Sequence, residues 1–315
     1  MLNAFMLHDR KLILMPHDNQ NYCLADAVWV DLIDPTEEER EKVAILYRQE
    51  LPETDEVDEI EASARFYIDE DGLHIHSLFL HEVDGHPHNT SVAFTLSAKR
   101  IFSLREREIP VFRLLRMRAR RMQNMDIDPA FIYIALQEIK VEALADALEY
   151  VHQGLEEVSH MVLEIKDRRL EEAIDELTRH EDSNGKARLC LMDTQRDLTF
   201  LSRYGGLSQD NKEQVRELLR DISSLLPHND FLFQKITFLM SAAQGFISME
   251  QNQIIKIFSI AAVVFLPPTL IASIYGMNFN IMPELHWSFG YPLALTLMVI
   301  AGIAPYWYFK RKGWL

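Results

Sequence analysis

The stretch Ile257–Phe309, IFSIAAVVFLPPTLIASIYGMNFNIMPELHWSFGYPLALTLMVIAGIAPYWYF, decides the fold. Its 53 residues include a single Asp, Glu, Lys or Arg, Glu284. Two uncharged runs lie inside it, Ile257–Tyr275 with 19 residues and Trp287–Phe309 with 23. At ~1.5 Å rise per residue they give helices of roughly 28 and 34 Å, enough to cross a hydrocarbon core of ~30 Å. Tyr275 and Trp287 stand at one interface, and Tyr306, Trp307 and Tyr308 at the other, where amphipathic rings settle. Lys256 precedes the first run and Lys310, Arg311 and Lys312 follow the second, whereas Gly276–His286 between them holds no Lys or Arg. The positive-inside rule then places both termini in the cytoplasm and the short connection outside. A multi-pass membrane protein is expected.

Outward from this hairpin the chain is polar. The 315 residues carry 32 Lys+Arg against 48 Asp+Glu, a formal net charge of −16. An acidic balance is wrong for neutralising phosphates, so no nucleic-acid partner is expected. Two cysteines, Cys23 and Cys190, cannot form a disulfide framework and suit a reducing compartment. Met1–Met15 shows no basic segment followed by an apolar core, so no signal peptide is expected there. Residues 1–255 read as a large acidic cytosolic portion.

Within it the first hundred residues read as mixed α/β. Asp34-Pro35-Thr36-Glu37-Glu38-Glu39 is a helix start with acidic residues in the first turn. Leu73–Leu80 and Ser91–Leu104, around the turns Asp71-Gly72 and Asp84-Gly85, predict an antiparallel sheet. From Ile109 the character turns helical, with Pro110 and Pro129 near helix starts. Phe131–Tyr204 has only Gly154 and Gly185 and no proline, which predicts two long helices, and Gly205-Gly206 ends them. Beyond, one very long helix runs into the first span, interrupted at most near Pro227. The expected fold class is α+β. The expected divisions are a cytosolic α/β domain (1–128), a helical hairpin (129–207), a stalk helix (208–256), a first transmembrane helix (257–278), an external loop (279–286), a second transmembrane helix (287–309) and a basic cytosolic tail (310–315).

The two spans differ in chemistry. A three-then-four spacing along the first gives Asn252, Ile255, Ser259, Ala262, Leu266, Thr269, Ser273 and Gly276, a stripe of small, polar and aliphatic residues. Phe258, Val263, Val264, Phe265 and Ile271 occupy its other faces. Such a stripe suits either helix packing or an aqueous path. Pro267-Pro268 removes two backbone donors in mid-span, tolerable where the freed carbonyls meet protein or water. The second span has no comparable stripe. Because two helices cannot enclose a pore, a channel reading requires several copies of the chain.

The stripe ends at Tyr275-Gly276-Met277-Asn278, followed by Met282-Pro283-Glu284-Leu285. Here the chain resembles the CorA magnesium transport family, whose signature is Gly-Met-Asn at the end of the first of two C-terminal spans. The resemblance covers the whole chain and is closest to the enterobacterial type, through Ile60-Glu61-Ala62-Ser63-Ala64-Arg65-Phe66 and Ser224-Leu225-Leu226-Pro227-His228-Asn229. It implies a homopentameric funnel with Gly276, Met277 and Asn278 as selectivity filter at the outer mouth. Thr269, Leu266, Phe258, Ile255 and Asn252 would follow inward along the conduction path, beside Ser259, Ala262 and Ser273. It also implies Mg²⁺ as transported ion, Co²⁺ and Ni²⁺ as further substrates, and Mg²⁺ as a regulatory ligand. Where many members carry Glu two residues after the signature Asn, this chain has Asn280, which leaves Glu284 as the acidic residue of the loop. Asn carbonyls suit the ion because Mg²⁺ dehydrates reluctantly and is best met with its waters on. A potential of about 2.3 kcal/mol per charge per 100 mV drives a dication inward by roughly 4.6 kcal/mol, so no nucleotide machinery is needed. Neither G-x-x-x-x-G-K-[ST] nor G-x-G-x-x-G occurs, no organic cofactor is implied, and no catalytic constellation suggests an enzyme.

Asp210, Glu213, Glu217 and Asp221 recur on one helical face. The family holds regulatory divalent ions on acidic cytosolic residues, which makes Glu217 and Asp221 candidates for that role. His74 and His76, with His81, His86 and His88 nearby, are read as an exposed sheet face rather than a zinc or nickel site. Arg113, Arg116, Arg118, Arg120 and Arg121 are expected to pair with acidic helices. The alternatives to a magnesium channel are a zinc transporter of the same fold and a membrane-anchored scaffold or sensor.

Overall fold

The computed structural model describes residues 1–8, 11–15, 24–47, 65–119, 128–164, 169–278 and 282–313, without the side chains of Leu24, Glu284 and Leu285. Ile60–Ala64, Arg120, Arg121 and Asn280 lie outside the described residues. The chain divides into two compact units, Met1–Met240 and Ser241–Leu315.

The first unit is built on a seven-stranded sheet. Its strands are β1 (Leu2–His8), β2 (Lys11–Leu14), β3 (Trp29–Ile33), β4 (Phe66–Ile68), β5 (Leu73–Val83), β6 (His86–Leu96) and β7 (Ile101–Arg105), in the order β2-β1-β3-β7-β6-β5-β4. All neighbours are antiparallel except β3 and β7, which run parallel with Asp31 opposite Ser103. The antiparallel sheet expected over Leu73–Leu80 and Ser91–Leu104 is found in β5, β6 and β7, and the parallel contact adds β3 to it. Alternation in β3 does not mark a parallel partner, because the strand is buried on both faces and its apolar residues flank the buried Asp31. On one face Val30 and Leu32 pack with Val43 of helix α1 (Glu37–Tyr47). On the other Trp29 stacks on Phe5 at 4.5 Å and lies 6.2 Å from Phe112 of helix α2 (Pro110–Ala119).

Asp31 points to the same face as Trp29, into apolar surroundings, and is neutralised there. The Arg105 guanidinium donates to its two carboxylate oxygens at 3.1 and 2.7 Å, and Ser103 Oγ adds a third bond at 2.7 Å. Both ions are fully buried. Breaking such a pair costs more than its presence contributes, since the survivor is left charged in a poor solvent.

Helices α3 (Pro129–Leu163) and α4 (Leu170–Tyr204) form the expected pair. Asp128 caps α3, accepting from the Phe131 amide at 2.6 Å, with Pro129 at the position where a missing N–H costs nothing. The chain turns at Gly205-Gly206, where Gly206 has φ +58°. Gly154 of α3 sits against His180 of α4 so tightly that a Cβ on it would lie 2.2 Å from the imidazole.

Helix α5 (Gln209–Tyr275) is one unbroken helix of 67 residues. It passes through Pro227 without interruption. Two residues on, Asn229 is fully buried and donates to the Asn184 backbone and side-chain oxygens at 2.8 Å, while Asn184 Nδ2 returns a bond to the Asn229 carbonyl at 3.2 Å. Tertiary packing of this kind supports a proline that propensity alone would not tolerate.

Candidate permeation pathway

In the second unit the apolar end of α5 is followed by a short 3₁₀ turn, Pro283–His286, and by helix α6 (Gly290–Arg311). The second helix thus begins three residues after Trp287. Both apolar segments are long enough to cross a membrane, and little of either is buried within the chain. Their contact is nevertheless specific. The less exposed residues of α5 are Ile260, Ala261, Val264, Pro267, Pro268, Ile271 and Tyr275, and those of α6 include Ala294, Met298, Ala301, Gly302, Pro305 and Phe309. A Cβ at Gly302 would lie 3.4 Å from the Pro268 ring and 3.7 Å from the Val264 carbonyl. The small residue lets the second helix close over the proline pair, as membrane helix contacts require.

At ~100° per residue this seam and the polar stripe lie roughly 180° apart on α5. Asn252, Ile255, Ser259, Ala262, Leu266, Thr269 and Ser273 are all exposed. Phe258 is exposed as well but stands about 60° to one side of the stripe's centre. Pro267 and Pro268 leave the carbonyls of Val263 and Val264 without their helical donors. The next carbonyl, of Phe265, accepts from the Thr269 hydroxyl at 2.7 Å. Helix α5 finishes as the Gly276 amide donates to the Ala272 carbonyl at 2.9 Å. A side chain at Gly276 would press on that carbonyl at 3.1 Å. Met277 and Asn278 are exposed just beyond the helix end, and Glu284 belongs to the 3₁₀ turn. Trp287, Tyr291, Tyr306, Trp307 and Tyr308 lie exposed near the two ends of α6, and Arg311 stacks over Trp307 at 5.4 Å.

In the first unit, Asp210, Glu213, Glu217 and Asp221 fall on the first turns of α5, and Glu213 is paired with Arg216 at 3.0 Å. Glu217 and Asp221 are exposed and face Glu138 of α3. Burial pushes the Glu138 carboxyl up, and the charges of Glu142, Asp221 and Glu217 push it further. Arg118 of α2, bonded to Glu142 at 2.5 Å, is the cation of this group. Sequence reading missed Glu138 and Glu142 because they lie some eighty residues upstream of the stripe they face. Among the described residues no three His, Cys, Asp or Glu side chains converge closely enough to hold a metal.

The histidines of β5 are corrected. His74, His76 and His81 are buried, not displayed on an exposed face. His74 stacks on Tyr67 at 4.2 Å and bonds Asp69 at 2.8 Å and Thr95 at 3.1 Å. Of the arginines, Arg118 binds Glu142 of α3, the pairing with a helix expected, whereas Arg116 binds Glu108 in the loop before α2.

A mere anchor has no use for hydroxyls and amides aligned on the face that its own neighbour leaves bare. An integral-membrane ion transport protein has, and that is the class these features define. The profile of the CorA-like Mg²⁺ transporter proteins matches residues 25–311. The chain belongs to the CorA family. It is 54% identical over 317 residues to the magnesium transport protein CorA of Yersinia pseudotuberculosis, covering 100% of both chains. It is 53% identical, again over all of both chains, to the protein of that name from Salmonella typhimurium. The complete structure of the CorA magnesium transporter from Methanocaldococcus jannaschii has the same fold, with a TM-score of 0.77 at 19% identity, covering 100% of this chain and 99% of that one.

Proposed function

We propose that this chain carries Mg²⁺ down its electrochemical gradient through a pore that several copies of α5 enclose, polar stripe inward. Membership of a magnesium transport family supports the ion, and full-length relatives at 53–54% identity favour it over zinc. The observation that carries the mechanism is the opposition of stripe and seam on α5. With α6 occupying one side, Asn252, Ile255, Ser259, Ala262, Leu266, Thr269 and Ser273 remain for other copies and for water. Five copies is the number that the family resemblance implies, with Co²⁺ and Ni²⁺ as further cargo and both termini cytoplasmic.

In this reading Gly276, Met277 and Asn278 form the outer filter. Amide oxygens accept from the water shell of a hydrated dication without the charge that would trap it. Glu284, repeated around the ring, raises the local cation concentration before entry. Leu266, Ile255 and Phe258 present the apolar bulk for a gate that works by dewetting. Glu217 and Asp221 respond to internal Mg²⁺, since a cation near them relieves the repulsion that they and Glu142 exert on the Glu138 carboxylate.

The test uses purified chain in liposomes loaded with a Mg²⁺-sensitive dye. Asn278→Ala should abolish most uptake, and equal uptake would discard the filter. Glu217→Gln with Asp221→Asn should relieve inhibition by internal Mg²⁺; unchanged inhibition would remove them from the account.

A further inference from the structure

A buried cluster of charged side chains, Arg65, Lys140, Asp193 and Asp197, is distinct from both the stripe and the acidic group of α5. Among the described residues strand β4 pairs with Leu73–Ile75 of β5, and beyond that stretch side chains bond the β5 backbone. The Arg65 guanidinium donates to the His76 carbonyl at 3.0 Å, and Asp193 of α4 accepts from the Leu78 amide at 2.6 Å. Arg65 and Asp193 are themselves paired at 3.0 Å. One turn along α4, Asp197 is fully buried and accepts from the Ser77 hydroxyl. Lys140 of α3 donates to the same hydroxyl at 2.8 Å and stands 3.8 Å from Asp197.

This arrangement leaves Asp197 imperfectly served. Its Oδ1 finds no donor among the described residues. Lys140 reaches Asp197 only at long range, being held by Ser77 and by the Phe79 ring at 4.6 Å. A proton on Oδ1 could be donated to the neighbouring Tyr133 hydroxyl, which also lacks a partner among the described residues, and would remove a charge from a fully buried site. We propose that Asp197 is a proton-operated fastener: neutral, it lets α4 and α3 seat against β5, and ionised, it loosens them. The groups facing it are Asp193 and Cys190 on α4, Lys140 and Tyr133 on α3, Ser77 on β5, and Arg65. Burial and the Asp193 charge push the Asp197 carboxyl up to about 7, against the pull of Lys140, Ser77 and Arg65. The linkage has a definite sign. An opened Asp197 titrates near its ordinary value of ~3.9, so opening releases a proton between about pH 4 and pH 7.

Hydrogen exchange of the α4 amides in the full-length chain, corrected for intrinsic rates, reads this opening. Measured, here and for the variants below, in a His180→Gln background that removes the opposing titration of the α4 imidazole, the opening constant should rise about tenfold per pH unit between roughly pH 5 and pH 6.5 and level off above about pH 7. Asp193→Asn should bring the plateau to lower pH and Lys140→Gln should take it higher. Asp197→Asn should give a flat profile; should that variant not fold, the carboxylic acid infrared band of the native chain replaces it, and must titrate near neutrality and move with Asp193→Asn. A flat profile in the His180→Gln background, or an infrared band unmoved by Asp193→Asn, would overturn the proposal. So would a slope retained in Asp197→Asn. None of these readouts depends on ion transport.

Discussion

If the polar stripe of α5 faces water, single cysteines along it should report the fact residue by residue. The perturbation is one cysteine at a time at 255, 259, 262, 266, 269 and 273, against 260, 264, 268 and 271 on the seam. Cys23 is replaced by serine; Cys190 can stay, because burial pushes its thiol up to about 12 and leaves almost no thiolate to react. A thiol facing water titrates near 8.5, so about 10% is thiolate at pH ~7.5. Each unit of upward shift in an apolar setting lowers that fraction tenfold. The seam is closed by Gly302 at the Pro268 ring and the stripe is exposed, so labelling by a small cationic methanethiosulfonate should differ by at least ~10-fold between them. The maxima should recur every three or four residues, with the minima about 180° away in helical phase. Rates are read by mass spectrometry on chain reconstituted in liposomes. Maxima at 264, 268 and 271, or no periodicity, would show that another face meets water, and the pathway proposed here would be abandoned.

Other consequences follow from the first unit. Arg105→Met removes the short bonds to the buried Asp31 and leaves it Arg116 at 3.6 Å; the change should cost up to ~3–5 kcal/mol, or as much as roughly 6–20 °C of melting temperature, whereas adding Asp31→Leu should return most of it. Gly154→Ala drives a methyl group into the His180 ring; the overpacking of ~1–3 kcal/mol exceeds the helix gain of about 1, and His180→Ala in the same chain should show a favourable coupling. Burial holds the His180 imidazole below its ordinary value, so on acidification the unfolded chain takes the proton first and stability falls as pH drops below about 6.5. A melting series should therefore lose less between about pH 7.5 and pH 5.5 in His180→Gln than in the native chain.

Much of this molecule is legible in its residues. The acidic turn Glu37-Glu38-Glu39 opens α1, Pro110 and Pro129 open α2 and α3, and the absence of proline from Phe131 to Tyr204 leaves room only for the long pair. These signals are local, and local signals survive folding. The parallel pairing of β3 with β7 joins Asp31 to Ser103 across 72 residues, and nothing in either segment announces its partner. The histidines of β5 misled because their alternation belongs to a strand with one wet face, whereas β5 has buried positions on both faces. Pro227 suggested a possible break that the Asn184–Asn229 clamp makes unnecessary.

For the candidate pathway the division is similar. Span length, charge asymmetry, the stripe and the Gly276-Met277-Asn278 signature depend on spacing along one helix, and spacing is written in the order of residues. Which side of α5 the second helix covers depends on where Gly302 meets Pro268, a contact between segments 34 residues apart. The meeting of Glu138 and Glu142 with Glu217 and Asp221 is likewise a matter of which helix faces pack. Order along the chain determines what each face carries; only three-dimensional packing decides which faces are left free to do chemistry.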